Sequence, residues 1–157
     1  IHINARLETV AEKPAFRRAL GRHRCLIPAD GFYEWEPKEK GRTPHWVYRA
    51  DGHPMTFAGI WSAWKDPDTG GWVRRFSIIT TAAEGVIRQI HDRMPVALPR
   101  ESWEPWLDRD MDDPEAAVQL AQPIDPDLIM EHTVSSQVNS VRNNSPELVE
   151  PFSESLF

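Results

Sequence analysis

Strand-forming segments follow one another across tight turns, and this succession restricts the fold more than any other feature. Asp30-Gly31, Asp51-Gly52 and the polar residues 66–71 separate runs rich in aromatic and β-branched side chains. Turns of this kind join antiparallel strands, whereas parallel strands need crossovers of about a dozen residues or more. Mainly antiparallel pairing is therefore predicted, with a hairpin at Asp51-Gly52. The predicted strands are residues 23–28, 32–36, 45–49, 55–60, 72–80, 95–98 and 128–134.

A few short helices complete the prediction. Pro14 suits a first helical turn and Gly21 suits the position after the last one, so a helix is predicted over 14–20. Further helices are predicted over 83–90, 101–107 and 114–120. The length of 157 residues and the hydrophobic content of 40% suit one globular domain. We therefore expect an α+β single domain with a mainly antiparallel, barrel-like β core and a few peripheral helices.

Charge is distributed unevenly along the chain. Residues 1–100 contain 16 Lys and Arg against 11 Asp and Glu, whereas residues 101–157 contain 2 against 13. A net charge of −6 is therefore compatible with a basic patch that binds nucleic acid. The simpler interpretation of the charge alone is that the acidic part is only a solvated face. The single cysteine, Cys25, favours a reducing compartment, and no apolar run is long enough to span a membrane. We expect a cytoplasmic protein, nucleoid-associated if bacterial.

Two segments carry side chains suited to acid–base chemistry. Glu34 stands among Phe32, Tyr33 and Trp35, and partial desolvation would suit its carboxylate to proton transfer. A solvent-facing glutamate on a half-buried strand is the structural alternative. His91 follows the helix predicted over 83–90, and with Arg93 it could hold an anionic group such as phosphate. A surface histidine that bonds a helix-end carbonyl is the alternative there.

Polar residues suited to binding occur elsewhere in the chain. Asn4 and Arg6 alternate on one face of an extended segment, where an amide could orient a carbonyl and a guanidinium could take a phosphate. Thr80 and Thr81 suit either a helix cap or a ligand contact. Seven tryptophans could include platforms for stacked bases. The histidines lack metal-ligand spacing, so no metal and no cofactor are expected, and Cys25 suits packing better than nucleophilic attack.

Seven ordered motifs add up to a family resemblance. They are Asn4-Ala-Arg6-x-Glu8-Thr9, Lys13-Pro14-x-Phe16-Arg17, Arg24-Cys-Leu-Ile-Pro-Ala-Asp-Gly-Phe-Tyr-Glu34-Trp35, Phe57-Ala-Gly-Ile-Trp61, Ile79-Thr80-Thr81-Ala-Ala83, Ile90-His91-Asp92-Arg93-Met-Pro-Val96 and Val134-Ser-x-x-Val138-Asn139-x-x-Arg142-Asn143. The set resembles the SOS-response-associated peptidase (SRAP) family across nearly the whole chain.

The resemblance implies a function in the response to DNA damage. Members of this family bind single-stranded DNA and attach covalently to its abasic sites, through a cysteine exposed at the N-terminus after Met removal. Amine and thiol of that cysteine close a thiazolidine on the sugar aldehyde, and the same apparatus cleaves residues that precede the cysteine. The implied catalytic residues are Asn4, Glu34 and His91, and the implied DNA-binding residues are Arg6, Thr80 and Arg93.

This chain departs from the family pattern at its beginning. The Met-Cys-Gly-Arg stretch of the family should precede Ile1, and Cys25 does not replace its cysteine. Residues 1–157 are therefore expected to form an SRAP-like domain whose N-terminal part is missing and which is inactive without that cysteine. A truncated protein or a misassigned start codon agrees best with the presence of all the implied catalytic and DNA-binding residues. A degenerate family member is the third explanation.

Two other functions stay open from the sequence. The chain could be a non-covalent single-strand binding module that uses Arg6, Arg93 and exposed tryptophans. It could also be a peptidase that acts on other proteins, although the sequence offers no intact Cys-His or Ser-His pair for that activity.

Overall fold

Strands and short helices alternate along the computed structural model, which describes residues 2–152. The strands are β1 (Asn4–Arg6), β2 (Arg24–Ala29), β3 (Gly31–Pro37), β4 (Arg42–Arg49), β5 (Met55–Lys65), β6 (Trp72–Ala82), β7 (Arg93–Pro95) and β8 (Ile129–Thr133). The α-helices are α1 (Pro14–Arg22), α2 (Trp103–Leu107) and α3 (Pro114–Leu120). Short 3-10 helices span Gly85–Gln89, Arg100–Ser102, Pro126–Leu128, Ser136–Asn139 and Pro146–Val149.

The first of two compact units comprises residues 2–28, 56–81 and 95–124. Its sheet has the strand order β1-β6-β5-β2, and β7 also pairs with β6. β1 runs parallel to β6, and β5 runs antiparallel to it. The core beneath this sheet includes Val10, Leu20, Ile60, Ile79 and Trp106, each at most 2% exposed.

Helix α1 follows from its sequence spacing. Pro14 occupies the first turn, where its missing N–H costs no helical hydrogen bond. Phe16, Ala19 and Leu20 recur at intervals of three and four residues, so they share the face that is buried in the core. Burying a side chain the size of Leu20 or Phe16 contributes about 1.5–3 kcal/mol to the stability of the fold.

Arg24 connects α1 to the segment that follows α2. Its guanidinium donates hydrogen bonds to five main-chain carbonyls. Those of Leu20 and Gly21 lie at 2.8 and 2.7 Å, that of Trp106 lies at 2.6 Å, and those of Asp108 and Met111 complete the set. The residue is only 9% exposed, so these carbonyls replace the water that burial removes from the cation.

The second unit comprises residues 29–55, 82–94 and 125–152. Its antiparallel sheet has the order β3-β4-β8. Tyr33 lies opposite Trp46 in the β3–β4 ladder, and their rings pack with centroids 5.0 Å apart. Gly31 lies opposite Tyr48, where a Cβ would stand 2.3 Å from the Val47 carbonyl oxygen. Only glycine therefore allows β3 to approach β4 this closely.

The predicted α+β class is confirmed. Pairing is mainly antiparallel, and helix α3 has the predicted bounds. Among residues 2–152 both sheets are open, so the expected barrel-like core describes them only loosely. No helix within these residues combines the length and the apolar character that crossing a membrane requires.

Two predictions of local structure are wrong. The Asp51-Gly52 turn does not make a hairpin, because β4 pairs with β3 and β8 whereas β5 pairs with β6 and β2. The helix predicted over 83–90 is reduced to the 3-10 helix Gly85–Gln89. Ala83 donates its N–H to the Asp92 carbonyl at 2.9 Å, and Gly85 has a φ of 54°, so neither residue continues a right-handed helix.

Candidate functional site

Three of the predicted site residues adjoin in the first unit. The parallel ladder pairs Asn4 with Ile78 and Arg6 with Thr80. Because paired residues of neighbouring strands point to the same face, Asn4, Arg6 and Thr80 share one side of the sheet. Ala5 points to the other side and is 1% exposed, whereas Asn4 and Arg6 are exposed. The alternation predicted for Asn4 and Arg6 is thus confirmed.

This arrangement places an amide, a guanidinium and a hydroxyl group side by side. Such groups donate hydrogen bonds to phosphate and sugar oxygens, and the guanidinium adds a permanent positive charge. The alternative role of Thr80 and Thr81 as a helix cap is wrong. Strand β6 continues to Ala82, and the following 3-10 helix begins at Gly85, so its cap position falls on Glu84.

His91 closes a tight turn in the second unit. Its main-chain N–H donates to the Ile87 carbonyl at 2.9 Å, at the end of the 3-10 helix. Its ring Nδ1 accepts the N–H of Arg93 at 3.0 Å. An Nδ1 that accepts this bond carries no proton, so the hydrogen bond assigns the neutral ring proton to Nε2. The side chain is 40% exposed.

Two acceptor oxygens also lie close to the His91 ring. One carboxylate oxygen of Asp92 lies 3.2 Å from Nδ1, and the Arg93 carbonyl oxygen lies 3.3 Å from it. Nδ1 therefore has two acceptor oxygens within reach in addition to the N–H from which it accepts.

Glu34 lies at the centre of β3 and is half-buried. Its Oε1 accepts the N–H of Trp35 at 3.1 Å, which holds the carboxylate against its own strand. Trp35 is oriented in turn by Asn139, whose side-chain oxygen accepts the indole N–H at 2.7 Å. The ring of Tyr33 lies 6.2 Å from that of Trp35, in agreement with the predicted alternation of this strand.

His45 was not singled out by the sequence. It lies opposite Glu34 in the β3–β4 ladder and its side chain is 8% exposed. Nδ1 lies 2.6 Å from a Glu131 oxygen and Nε2 lies 3.3 Å from a Glu36 oxygen. A hydrogen bond from Lys38 lowers the pKa of Glu36, and His45 adds to the effect. The only sequence signal was that these polar residues fall on predicted strands or next to them: His45, Glu36, Lys38 and Glu131.

Cys25 occupies a packed position in β2. Burial raises the pKa of its thiol, so the thiolate is scarce at neutral pH. Its Sγ packs against Gly59, where an added Cβ would lie 3.0 Å from the sulfur atom. These observations agree with the prediction of a packing residue.

The predicted site residues thus fall into two groups, one in each unit. Asn4, Arg6 and Thr80 adjoin in the first unit, and His91 adjoins Arg93 in the second, where Glu34 lies on β3. Within residues 2–152, no cluster of three or more His, Cys, Asp or Glu side chains is arranged to hold a metal ion.

Comparisons with known proteins agree with the sequence motifs. The abasic site processing protein YoqW of Bacillus subtilis is 44% identical over 149 residues, which are 94% of this chain and 66% of that protein. The abasic site processing protein HMCES of Gallus gallus is 34% identical over 168 residues, covering 94% of this chain and 49% of that protein. This chain therefore spans about two thirds of YoqW and half of HMCES.

Solved structures show the same fold. A crystal structure of a protein from Bacteroides thetaiotaomicron superposes with a TM-score of 0.86 at 30% identity, covering 96% of this chain and 66% of that one. A phage-related protein from Bordetella bronchiseptica gives 0.68 at 29% identity, covering 85% and 63%. The family model described as SOS response associated peptidase (SRAP) matches residues 1–141, and the chain belongs to that family.

Proposed function

We propose that this protein binds single-stranded DNA at abasic sites and shields them by a covalent bond to the ring-opened sugar. The observation that carries the proposal is the shared face of Asn4, Arg6 and Thr80, which presents an amide, a cation and a hydroxyl together. Such a set suits the sugar–phosphate backbone beside a missing base. The names of YoqW and HMCES, both abasic site processing proteins, support the same assignment.

The bond-forming group in this proposal is an N-terminal cysteine outside residues 1–157. Its amine attacks the sugar aldehyde and loses water to give an imine, and its thiol then adds to the imine carbon to close a thiazolidine. An α-amine has a pKa of about 8, so a useful neutral fraction exists at neutral pH. Cys25 does not take this role, because it lies within the chain and has no free α-amine to form the imine, and burial also raises the pKa of its thiol.

The remaining residues assist the reaction. Asn4 positions the cysteine and the sugar, and Glu34 moves protons during ring opening and imine formation. His91 donates a hydrogen bond or a proton from its ring, which the turn to Arg93 orients. Arg6, Thr80 and Arg93 bind the DNA backbone. The same groups serve the proposed self-cleavage that exposes the cysteine, and the proposed location is the cytoplasm, at the nucleoid in a bacterium.

A denaturing gel tests this proposal. The chain extended upstream to a Met-Cys start is mixed with single-stranded DNA that carries one abasic site. We expect a shifted band that survives denaturation and disappears when that cysteine is replaced by serine, with the 157-residue chain run alongside as a control. If Met removal is verified by mass and no shifted band forms, the covalent proposal is wrong. If the protein nevertheless binds the DNA in a native gel, the result would support the alternative function, a non-covalent single-strand binding module.

A further inference from the structure

One face of strand β6 continues from the candidate site toward the β5–β6 turn. Thr80, Ile78, Phe76, Arg74 and Trp72 alternate along the strand and so point to the same side of the sheet, and they are called the β6 strip here. The parallel ladder puts Asn4 and Arg6 beside the Thr80 end of this strip. At about 3.3 Å per residue, the strip is about 26 Å long.

The far end of the β6 strip exposes large aromatic rings. Trp72 is 70% exposed and Phe76 is 56% exposed, whereas Ile79 on the opposite side of the same strand is fully buried. Arg74, between the two rings, is exposed as well. Apolar rings grouped on a surface and interleaved with a cation are a feature of binding surfaces rather than of ordinary solvated ones.

Strand β5 extends the same pattern beside the strip. The ladder pairs Trp61 with Phe76, Ala63 with Arg74, and Lys65 with Trp72. These six positions carry two positive charges and no carboxylate, although the net charge of the chain is −6. Ala63, which lies opposite Arg74, has a small side chain, and both residues are exposed. A polyanion with flat apolar groups therefore complements this face best.

A pocket of about 360 Å³ opens on this face beside Phe76. Its walls include Trp61, Arg74 and Ile27. The ring of Trp61 is held by stacking against the His23 ring, with centroids 4.5 Å apart and planes 26° apart. The pocket thus offers a fixed aromatic wall and a cationic side chain in its lining, which suit a nucleobase with its phosphate.

We propose that the β6 strip binds the single strand that flanks the lesion, with bases stacked on Phe76 and Trp72 and a phosphate at Arg74. The two rings are about 13 Å apart along the strand, with the guanidinium midway. A stacked strand advances about 3.4 Å per nucleotide and a splayed one further, so the strip accommodates at most about eight nucleotides. The placement of the lesion at the Thr80 end rests on the proposed function, whereas the affinity for a single strand does not.

Binding of DNA with flanks of different length tests this inference. The oligonucleotides carry a tetrahydrofuran abasic analogue, which cannot be cross-linked, and 5′ and 3′ flanks are lengthened separately from one to twelve nucleotides. Fluorescence anisotropy with the 157-residue chain measures each Kd, and undamaged strands of the same lengths are measured alongside. We expect affinity to rise with one flank only and to level off by about eight nucleotides.

Substitutions then locate the flank on the protein. Trp72→Ala and Phe76→Ala should each weaken long-flank binding about 5- to 150-fold, the effect of losing one stacked base, and leave one-nucleotide flanks unchanged. The matched control is Phe152→Ala, which removes a ring that is 50% exposed in the second unit. Arg74→Ala should make the slope of log affinity against log salt concentration shallower by about 0.7, the value for one lost phosphate contact. Arg18→Ala on α1 should leave that slope unchanged. Circular dichroism and thermal melting verify that each variant is folded.

Several results would overturn the inference. Wild-type affinity for long flanks in both ring variants would remove the strip from DNA binding, as would equal losses for short and long flanks. A dimer that dissociates in Trp72→Ala, with DNA binding unchanged, would make this face a contact between copies. Failure of the proposed function gives a different result. In that case the wild-type protein binds abasic and undamaged strands with equal affinity, while the Trp72→Ala and Phe76→Ala variants still lose affinity for both.

Discussion

At the residue scale, Glu34 is the side chain whose proposed role separates chemistry from binding. Its carboxylate is held by the Trp35 N–H, and glutamine in its place keeps the size and this hydrogen bond but cannot take up a proton. We expect Glu34→Gln in the Cys-extended protein to slow cross-linking about 100-fold or more, with Kd for abasic DNA within about twofold. Single-turnover gels and anisotropy measure the two quantities. Glu39→Gln, in the exposed turn after β3, is the control, and equal losses of rate and affinity would indicate a folding role instead.

Asp51 gives a pH-dependent prediction at the same scale. Hydrogen bonds from Arg49, at 2.9 Å, and from the His53 main chain at 3.1 Å lower the pKa of Asp51 to about 2. A carboxyl whose pKa is lower in the folded state stabilises the fold above its unfolded pKa of about 3.9, and this contribution is lost as pH falls toward 2.

Asp51→Asn should therefore be less stable than wild type at pH 6, and the difference should shrink between pH 4 and pH 2. Urea midpoints across this range measure it, with the exposed Asp30→Asn as the control. A stability difference that does not change with pH would show that the Arg49 pair does not control this carboxyl.

At the element scale, Arg24 joins α1 to the segment after α2 through one buried cation. Lysine in its place keeps the charge but has three donors on a flexible stem, so it cannot satisfy five carbonyls in a planar fork. Three donors leave at least two of the five carbonyls unsatisfied, and each unsatisfied buried acceptor costs about 1–3 kcal/mol, so Arg24→Lys should lower the free energy of unfolding by at least about 2 kcal/mol. Urea unfolding measures the loss, and Arg18→Lys on the exposed face of α1 is the matched control. A loss below about 1 kcal/mol would mean that water replaces the lost donors.

Elements with local signals were predictable from the sequence. Pro14 predicted the start of α1, residues 114–120 predicted α3, and the polar residues 66–71 predicted the turn between β5 and β6. Partner choice was not predictable, because it depends on residues distant in the chain. Nothing near Asn4 shows that β1 pairs with β6 in parallel, and nothing near Asp51-Gly52 shows that β4 and β5 join different sheets.

The candidate site shows the same limit. Asn4, Glu34, His91 and the three binding residues were found through ordered motifs that resemble the family. The turn that fixes the His91 tautomer depends on the Arg93 main chain, which no motif specifies. The contacts of His45 with Glu36 and Glu131 become apparent only when the registers of β3, β4 and β8 are known. The β6 strip required the registers of β1 and β5, although Trp72 was among the tryptophans noted as possible stacking platforms.

At the scale of the whole molecule, the proposed binding and proton transfer belong to residues within the chain, and the proposed bond formation belongs to a cysteine outside residues 1–157. The only cysteine within the chain is Cys25, whose thiol pKa is raised by burial. Lysines are the other groups that could bond to an aldehyde, but their imines hydrolyse when the DNA is denatured, unless they are reduced. The position and type of the adduct therefore discriminate among these possibilities.

Mass spectrometry of the cross-linked peptide tests this claim most directly. The Cys-extended protein is reacted with abasic single-stranded DNA without reductant, and both nuclease and trypsin digest the product. We predict a sugar remnant on the N-terminal cysteine, with a mass that corresponds to loss of one water and with both amine and thiol blocked to alkylation. A remnant on Cys25 or on a lysine, or an adduct seen only after borohydride reduction, would contradict the account.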